Sequence, residues 1–243
     1  ERGAVLAEMH MYENDPSSML NDALIYTSFL AHPYRNNTIG WESDIDSVTH
    51  ADVLQFYEQH YHPANAVLAV VGDFDSDDVR AEIQALFGVF EKRAATPLPH
   101  TVEPLQRGAR RVTVSGSAPG RLFAMGYRAP SAASTDFAAF LVLQELLSGG
   151  SGVSFLQNDW GTEAKDGSLL AGVDADISTW FPPSADKYMF VVSGSADDQA
   201  MEAEVESAIE QKIAILRNER LDQSRIESAI DAVLDELVFD VQT

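Results

Sequence analysis

Three observations predict an α+β fold for this 243-residue chain. Stripes of apolar residues at helical spacing alternate with short apolar runs that end in small-residue turns, the pattern of helices laid on a sheet. The stretch 91–108 holds Pro97, Pro99, Pro104 and Gly108 without any periodicity. It reads as an extended linker dividing 1–90 from 109–243. One pattern recurs on both sides: Val70-Val71-Gly72-Asp73-Phe74-Asp75-Ser76-Asp77-Asp78 against Val191-Val192-Ser193-Gly194-Ser195-Ala196-Asp197-Asp198. Each reads as a strand, a small-residue turn and an acidic helix start, an arrangement common enough in α+β proteins to prove little alone.

At 45% hydrophobic residues the chain can bury a sizeable core. No apolar run approaches the roughly 18 residues of a membrane span, and no signal peptide is visible. Cysteine is absent, which excludes disulfides and thiolate metal ligands and leaves the redox compartment open. The net charge is −22. Residues 1–108 carry 6 basic and 17 acidic side chains, a balance of −11; residues 109–243 carry 10 and 21, again −11. So even a spread reads as a solubilising surface. It argues against nucleic acid and anionic lipid as partners, since both need basic patches.

In chain order, the opening stretch Glu1–Pro16 is predicted helical until Asp15-Pro16 breaks it. Asp15 suits an N-cap and Pro16 the first helical position of a second helix. Met19, Leu20, Ala23, Leu24, Tyr26 and Leu30 give that helix its apolar stripe, to about Ala31. His32–Gly40 is irregular, with His32 read as a local hydrogen-bonding residue. A third helix is expected from Ser47 to Tyr61, with Val48, Ala51, Leu54 and Phe56 or Tyr57 inward, ended by Pro63. His60 and His62 would suit a metal only on a strand; here they end a helix.

Ala66–Val71 is a continuous apolar run before Gly72-Asp73 and is predicted to be a buried strand. Asp75 or Ser76 caps the next helix, which carries Val79, Ile83, Leu86 and Phe87 and has Gly88 past its end. Asp73, Asp75, Asp77 and Asp78 lack the Gly and Glu offsets of a calcium loop and read as capping and solvated charge.

Beyond the linker, Arg111–Gly116 and Leu122–Arg128 are predicted strands. In the second, Phe123, Met125 and Tyr127 face one way, and Leu122, Ala124 and Gly126 the other. Thr135 opens a helix through Phe137, Phe140, Leu141, Leu143, Leu146 and Leu147, ended at Ser148-Gly149-Gly150. Without a Lys, the following Ser151-Gly152 makes a turn rather than a phosphate cradle. Ser154–Trp160 reads as a short helix, and Leu169–Ile177 and Tyr188–Ser193 as strands. Asp197 or Asp198 begins a long helix through Met201, Val205, Ile209, Ile213 and Leu216. Asp222 caps a last one through Ile226, Ile230, Val233 and Leu237.

The chemistry-bearing candidates lie in the opening stretch. Glu1 and Glu8 are seven residues apart, two helical turns, so both project from nearly one face. From spacing alone the pair also reads as solvated surface charge. The run Glu1-Arg2-Gly3-Ala4-Val5-Leu6-Ala7-Glu8, however, resembles the ERxxVxxE helix of the M16 metallopeptidases, the pitrilysin and insulinase relatives. The HPY…G connection at 32–40 and FYEQHYHPANAVLAVVGDFD at 56–75 also resemble that family's text. The resemblance runs essentially the whole chain and is strongest in 1–16 and 54–88.

The resemblance implies two related units of the M16 type, each a mostly antiparallel sheet covered by helices. Residues 1–90 would be the C-terminal half of a first unit, and 109–243 the N-terminal part of a second. Carried over by position, Glu8 is the implied zinc ligand and Glu1 an acid beside it. In the implied mechanism zinc held by two His and one Glu polarises a water and the peptide carbonyl, and the Glu of an HxxEH motif takes the water's proton. No HxxEH occurs here. His10, His32, His50, His60, His62 and His100 all lack the required offsets.

The chain therefore reads as a fragment of a zinc endopeptidase acting on peptides, inactive alone and without bound zinc. Its remaining M16 units would lie in the same chain or a partner subunit. The rival reading is a non-catalytic M16-fold structural or peptide-binding subunit; an HxxEH about one hundred residues upstream would decide between them. The family's substrate-gripping Arg and Tyr are not found in 155–170, so this unit is not expected to be the half that bears them. The residues leave the compartment open; the resemblance favours the bacterial periplasm or cell envelope.

Overall fold

The computed structural model describes residues 1–91, 94, 100–118, 120–148, 175–196, 202–218 and 221–242. They fall into two compact units. One comprises Glu1–His10, Ala31–Pro33 and Thr38–Glu103, the other Met11–Leu30, Tyr34–Asn37 and Pro104–Thr243. The fold is α+β: eight α-helices and three strands are found among the described residues.

The first unit contains most of α1 (Arg2–Glu13), then α3 (Glu42–Ser47), α4 (His50–His60) and α5 (Ser76–Phe87). The helix predicted over 47–61 is α4, which starts at His50, and the sequence does not predict the separate short α3 before it. Val48 leaves helical geometry, and Thr49 and Asp52 form a reciprocal capping box that starts α4 afresh. Asp75 accepts hydrogen bonds from the Asp77 and Asp78 amides and caps α5, as its position suggests.

The expected inward face of α4 is not covered: Leu54, Phe56 and Tyr57 are exposed. Ala66–Val71 forms no strand. A strand exists only where a neighbour takes its N–H and C=O groups, and no described residue does so for 67–71.

The second unit is built on a three-stranded antiparallel sheet in the order β1 (Arg121–Arg128), β3 (Met189–Ala196), β2 (Ala175–Trp180). In register, Met125 lies opposite Val192 and Ile177 opposite Gly194. Strand alternation gives the central strand two buried faces. Phe190, Val192 and Ala196 point into a core shared with Leu147 of α6 (Phe137–Ser148) and with Val205, Ala208 and Ile209 of α7 (Glu202–Asn218). Phe123, Met125 and Tyr127 face this same core, as their alternation predicts. Met189 and Val191 point the other way, against Ile25 and Phe29 of the α2 segment (α2, Pro16–Ser28).

The N-terminal cap of α2 is the expected one, Asp15 accepting from the Ser18 amide with Pro16 in the first turn. Its buried side matches the expected stripe in part: Leu24 and Tyr26 pack against the sheet-side cluster. Leu30 is exposed, and Ile25 and Phe29 are the seated residues. Helical spacing admits either set; the docking face of the sheet selects one. Close approach to β1 depends on Gly126, where a Cβ would sit 2.9 Å from Met189 Sδ and 3.3 Å from Leu24 Cδ1.

Arg111–Gly116 is not a strand: no described backbone takes its N–H and C=O groups. The last helix, α8 (Gln223–Gln242), buries Ala229, while Ile230 and Leu237 are exposed. The predicted helix at 154–160, the glycine turn, residues 169–174 and the start of the long helix at 197–201 lie outside the described residues.

Candidate functional site

Glu1 and Glu8 stand on one helix, as their spacing requires. The Glu1 carbonyl accepts from the Ala4 and Val5 amides at 2.9 and 3.1 Å, so Glu1 opens α1 and Glu8 follows two turns on. Met9 is 4% exposed and seats the helix, leaving the neighbouring Glu8 on the solvent side. Within the same unit, Arg2 donates to the Asp46 carbonyl at 2.9 Å, and His10 Nε2 lies 3.6 Å from a Glu42 carboxylate oxygen. Both contacts tie α1 to α3 through partly exposed groups.

Zinc takes three or four protein ligands in its ordinary sites. Among the described residues no group of three or more His, Cys, Asp or Glu is placed to hold a metal. The residues present therefore do not make up a zinc site by themselves: α1 brings one candidate carboxylate, and its histidine, two positions on, lies beside Glu42. The other metal readings dissolve in the geometry. His60 packs its ring 4.3 Å from that of Phe56 at the end of α4. Asp75 is engaged with helix amides, and Asp77 with Arg80 at 3.0 Å. The region 155–170, searched for a substrate-gripping Arg and Tyr, lies outside the described residues.

The second unit carries features that the sequence reading did not find. The last turn of α2 has no basic residue of its own. Arg110 donates to the Thr27 and Ser28 carbonyls at 2.9 and 3.1 Å, and Arg128 to Ser28 at 2.6 Å. Two cations from remote positions thus satisfy the helix's C-terminal carbonyls. The Arg128 guanidinium also stands 4.4 Å over the Phe29 ring. Phe29 stacks on Tyr188 at 5.4 Å, and Tyr34, from the HPY text, meets Tyr188 edge-on at 5.2 Å. Burial, and secondarily Tyr34, raises the Tyr188 phenol above its usual range.

On the opposite face, burial and the charges of Glu210 and Glu206 push the Tyr127 phenol up to about 12. Its buried hydroxyl has no hydrogen-bond partner among the described residues. In the first unit, Glu103 accepts from the Ala31 and His32 amides at 2.9 and 3.0 Å. No local signal marks any of these pairings, since each joins residues about 70 or more positions apart in sequence. A groove of about 450 Å³ opens between α2 and the sheet, from Ser17, Leu20 and Asn21 to Trp180, Ser193 and Ser195. None of the described residues lining it is titratable.

The fold is that of solved M16-type proteins. The chain superposes along its whole length on a protease from Helicobacter pylori, with TM-score 0.86 and 23% identity, covering 58% of that chain. A peptidase M16 inactive domain from Pseudomonas fluorescens matches 94% of the chain with TM-score 0.77 and 19% identity, over 53% of its own length. Residues 47–233 match the family model described as peptidase M16 inactive domain. The chain belongs to the M16 metallopeptidase family.

Curated relatives include the zinc protease PqqE of Helicobacter pylori, 34% identical over 152 residues. That match takes in 60% of this chain and 34% of the relative. An uncharacterized zinc protease of Streptomyces coelicolor is 32% identical over 120 residues, 48% of this chain and 26% of the relative. The chain thus spans about a third of the length of the curated relatives it matches. No helix among the described residues is long and apolar enough to cross a membrane.

Proposed function

We propose that this chain is part of an M16-type zinc endopeptidase that hydrolyses peptides, and that Glu8 is its one contribution to the metal. Glu1 stands beside it as a supporting acid. The two histidines and the general base belong to an HxxEH helix outside this sequence. The observation that carries the reading is α1 itself: Glu1 opens it, Met9 seats it, and Glu8 is held on the solvent side. Zinc-protease names among the relatives support the same chemistry. By itself the 243-residue chain is expected to hold no zinc and to cleave no peptide, because a lone carboxylate is a poor zinc site.

The test is zinc content and peptide turnover in the longer protein, wild type against Glu8→Gln. Loss of both supports the assignment, since the amide keeps the shape and removes the charge that balances the metal. Glu1→Gln should weaken zinc less, by on the order of 10–100-fold. Wild-type zinc and turnover in Glu8→Gln would reduce α1 to a helix with two surface acids.

A second reading is a non-catalytic subunit of the same fold that binds peptides or plays a structural part. It is favoured by one observation: the matching family model is described as an inactive domain and covers 47–233, leaving α1 outside it. A longer protein without HxxEH would decide for this reading.

A further inference from the structure

Met11–Leu30 and Tyr34–Asn37 precede the Pro-rich linker in the chain, yet they belong to one compact unit with Pro104–Thr243. The groups that hold them there come from beyond the linker. Phe29, fully buried, and Ile25 seat on Met189 and Val191 of β3. Phe29 and Tyr34 both pack on the Tyr188 ring, and the Tyr34 hydroxyl accepts from the Asp186 amide at 3.1 Å. At the described end of the linker, by contrast, Val102 and Leu105 are 82% and 89% exposed. The fit is selective in two ways. Gly126 leaves a notch in β1, since a Cβ there would stand 3.3 Å from Leu24 Cδ1. Arg110 and Arg128 both reach the Ser28 carbonyl, at 3.1 and 2.6 Å. A helix is therefore accepted only with its C-terminal end, where carbonyls lack partners within the helix, beside the two guanidinium groups.

We propose that α2, Phe29 and Tyr34 form a docking segment whose receptor is the β1–β3 face of the second unit, so that the polypeptide on either side of 91–108 stays associated without the linker. The partner this face takes is an amphipathic helix followed by an aromatic segment, supplied by the same copy of the chain. Apolar packing gives the attachment its strength, and the notch and the two arginines give it register and direction. None of these uses the covalent connection. The linker only raises the effective concentration of two parts that already recognise each other. A boundary drawn at 91–108 therefore separates the sequence but not the packed unit, whose core takes side chains from both sides of it. The inference does not depend on Glu8 or zinc.

Cutting the folded 243-residue chain at a sequence-specific protease site inserted within 94–99 tests it. The expected result is that the two pieces elute together from a size-exclusion column, as one particle of the intact chain's mass. Pieces that separate overturn the proposal. Phe29→Ala, cut in the same way, should raise the dissociation constant of the pieces by on the order of 100-fold or more. Leu54→Ala, on the exposed face of α4, should leave it unchanged. Phe29→Ala also removes core volume, so Gly126→Val is the second variant. Valine suits a strand and deletes no packed group, but it fills the notch, and it should loosen the pieces by on the order of tenfold. Pieces of both variants that bind as tightly as wild type overturn the assignment to this segment. A dimer mass for the uncut chain, lost in Phe29→Ala, overturns it in favour of exchange of the segment between two copies. Zinc content of the longer protein, wild type against Glu8→Gln, tests the proposed function separately, so either reading can fail alone.

Discussion

Val71 and Val192 are the same residue in the same kind of text, a Val-Val pair leading to a small-residue turn, and their surroundings are opposite. Val192 is fully buried at the centre of β3; Val71 is 96% exposed and belongs to no strand. The difference is in the neighbours. β3 has β1 on one edge, β2 on the other, α2 over one face and α6 and α7 over the other. The run at 66–71 has none of these among the described residues. Apolar sequence makes a stretch able to be a strand, and the partners make it one.

The largest expected effect contrasts the two units directly. Ile209→Ala in the core of the second unit should destabilise the 243-residue chain by about 2–5 kcal/mol, through lost burial and a cavity. Val71→Ala should change stability by no more than about 0.5 kcal/mol, since it removes nothing that is packed. Urea unfolding followed by circular dichroism compares them. A Val71→Ala cost approaching that of Ile209→Ala would mean that 66–71 is covered in solution and the contrast is false.

Next come the cations that hold α2 in the second unit. Arg110→Ala should cost about 1–3 kcal/mol, because two carbonyls lose a charged donor. Arg128→Ala should fall at the lower end of that range, since its side chain is exposed. Equal stability of both variants with wild type would make α2 self-sufficient and its docking incidental.

Tyr127 sharpens the picture of the buried sheet face. Its phenol is raised, so the neutral form is favoured in the fold. That contribution is complete below the unfolded value of 10.0 and is lost as pH rises toward about 12. Stability should therefore fall across that alkaline window, and Tyr127→Phe should remove this part of the fall. At neutral pH the Phe variant should match or exceed wild type, by up to about 1 kcal/mol, because the hydroxyl it deletes has no partner among the described residues. Absorbance titration of the phenols, with chemical unfolding at each pH, measures both. A Phe variant clearly less stable at neutral pH would mean that the hydroxyl is bonded in solution.

The smallest effects are at the helix caps. Asp15 is held below the usual carboxylate range chiefly by the Ser18 hydroxyl, and Asp52 by the Thr49 hydroxyl. Each contributes stability above the unfolded value of 3.8 and loses it as pH falls through its own lower value. Asp15→Ala should shift the unfolding of the packed second unit, whereas Asp52→Ala should only fray α4. Residue-resolved amide exchange separates the two, and a global shift from Asp52→Ala would show α4 to be part of a cooperative core.

The sequence by itself determined the features made within a few residues. Asp15 and Pro16 start α2, Asp75 caps α5, and the alternation of 122–128 sends Phe123, Met125 and Tyr127 to one face. Each rests on a contact or a steric limit that local spacing sets. It also put Glu1 and Glu8 on one helix, because two turns of α-helix are a local distance. Tertiary structure decided what depends on remote partners. It seated Ile25 and Phe29 rather than Leu30, since only the sheet face distinguishes two sets of equal helical period. It brought Arg110 and Arg128 to the end of α2, and it withheld strand structure from 66–71 and 111–116. The candidate site divides in the same way. The carboxylate and its helix are local and legible, whereas a zinc site needs several donors brought together, and no spacing within this chain supplies the others.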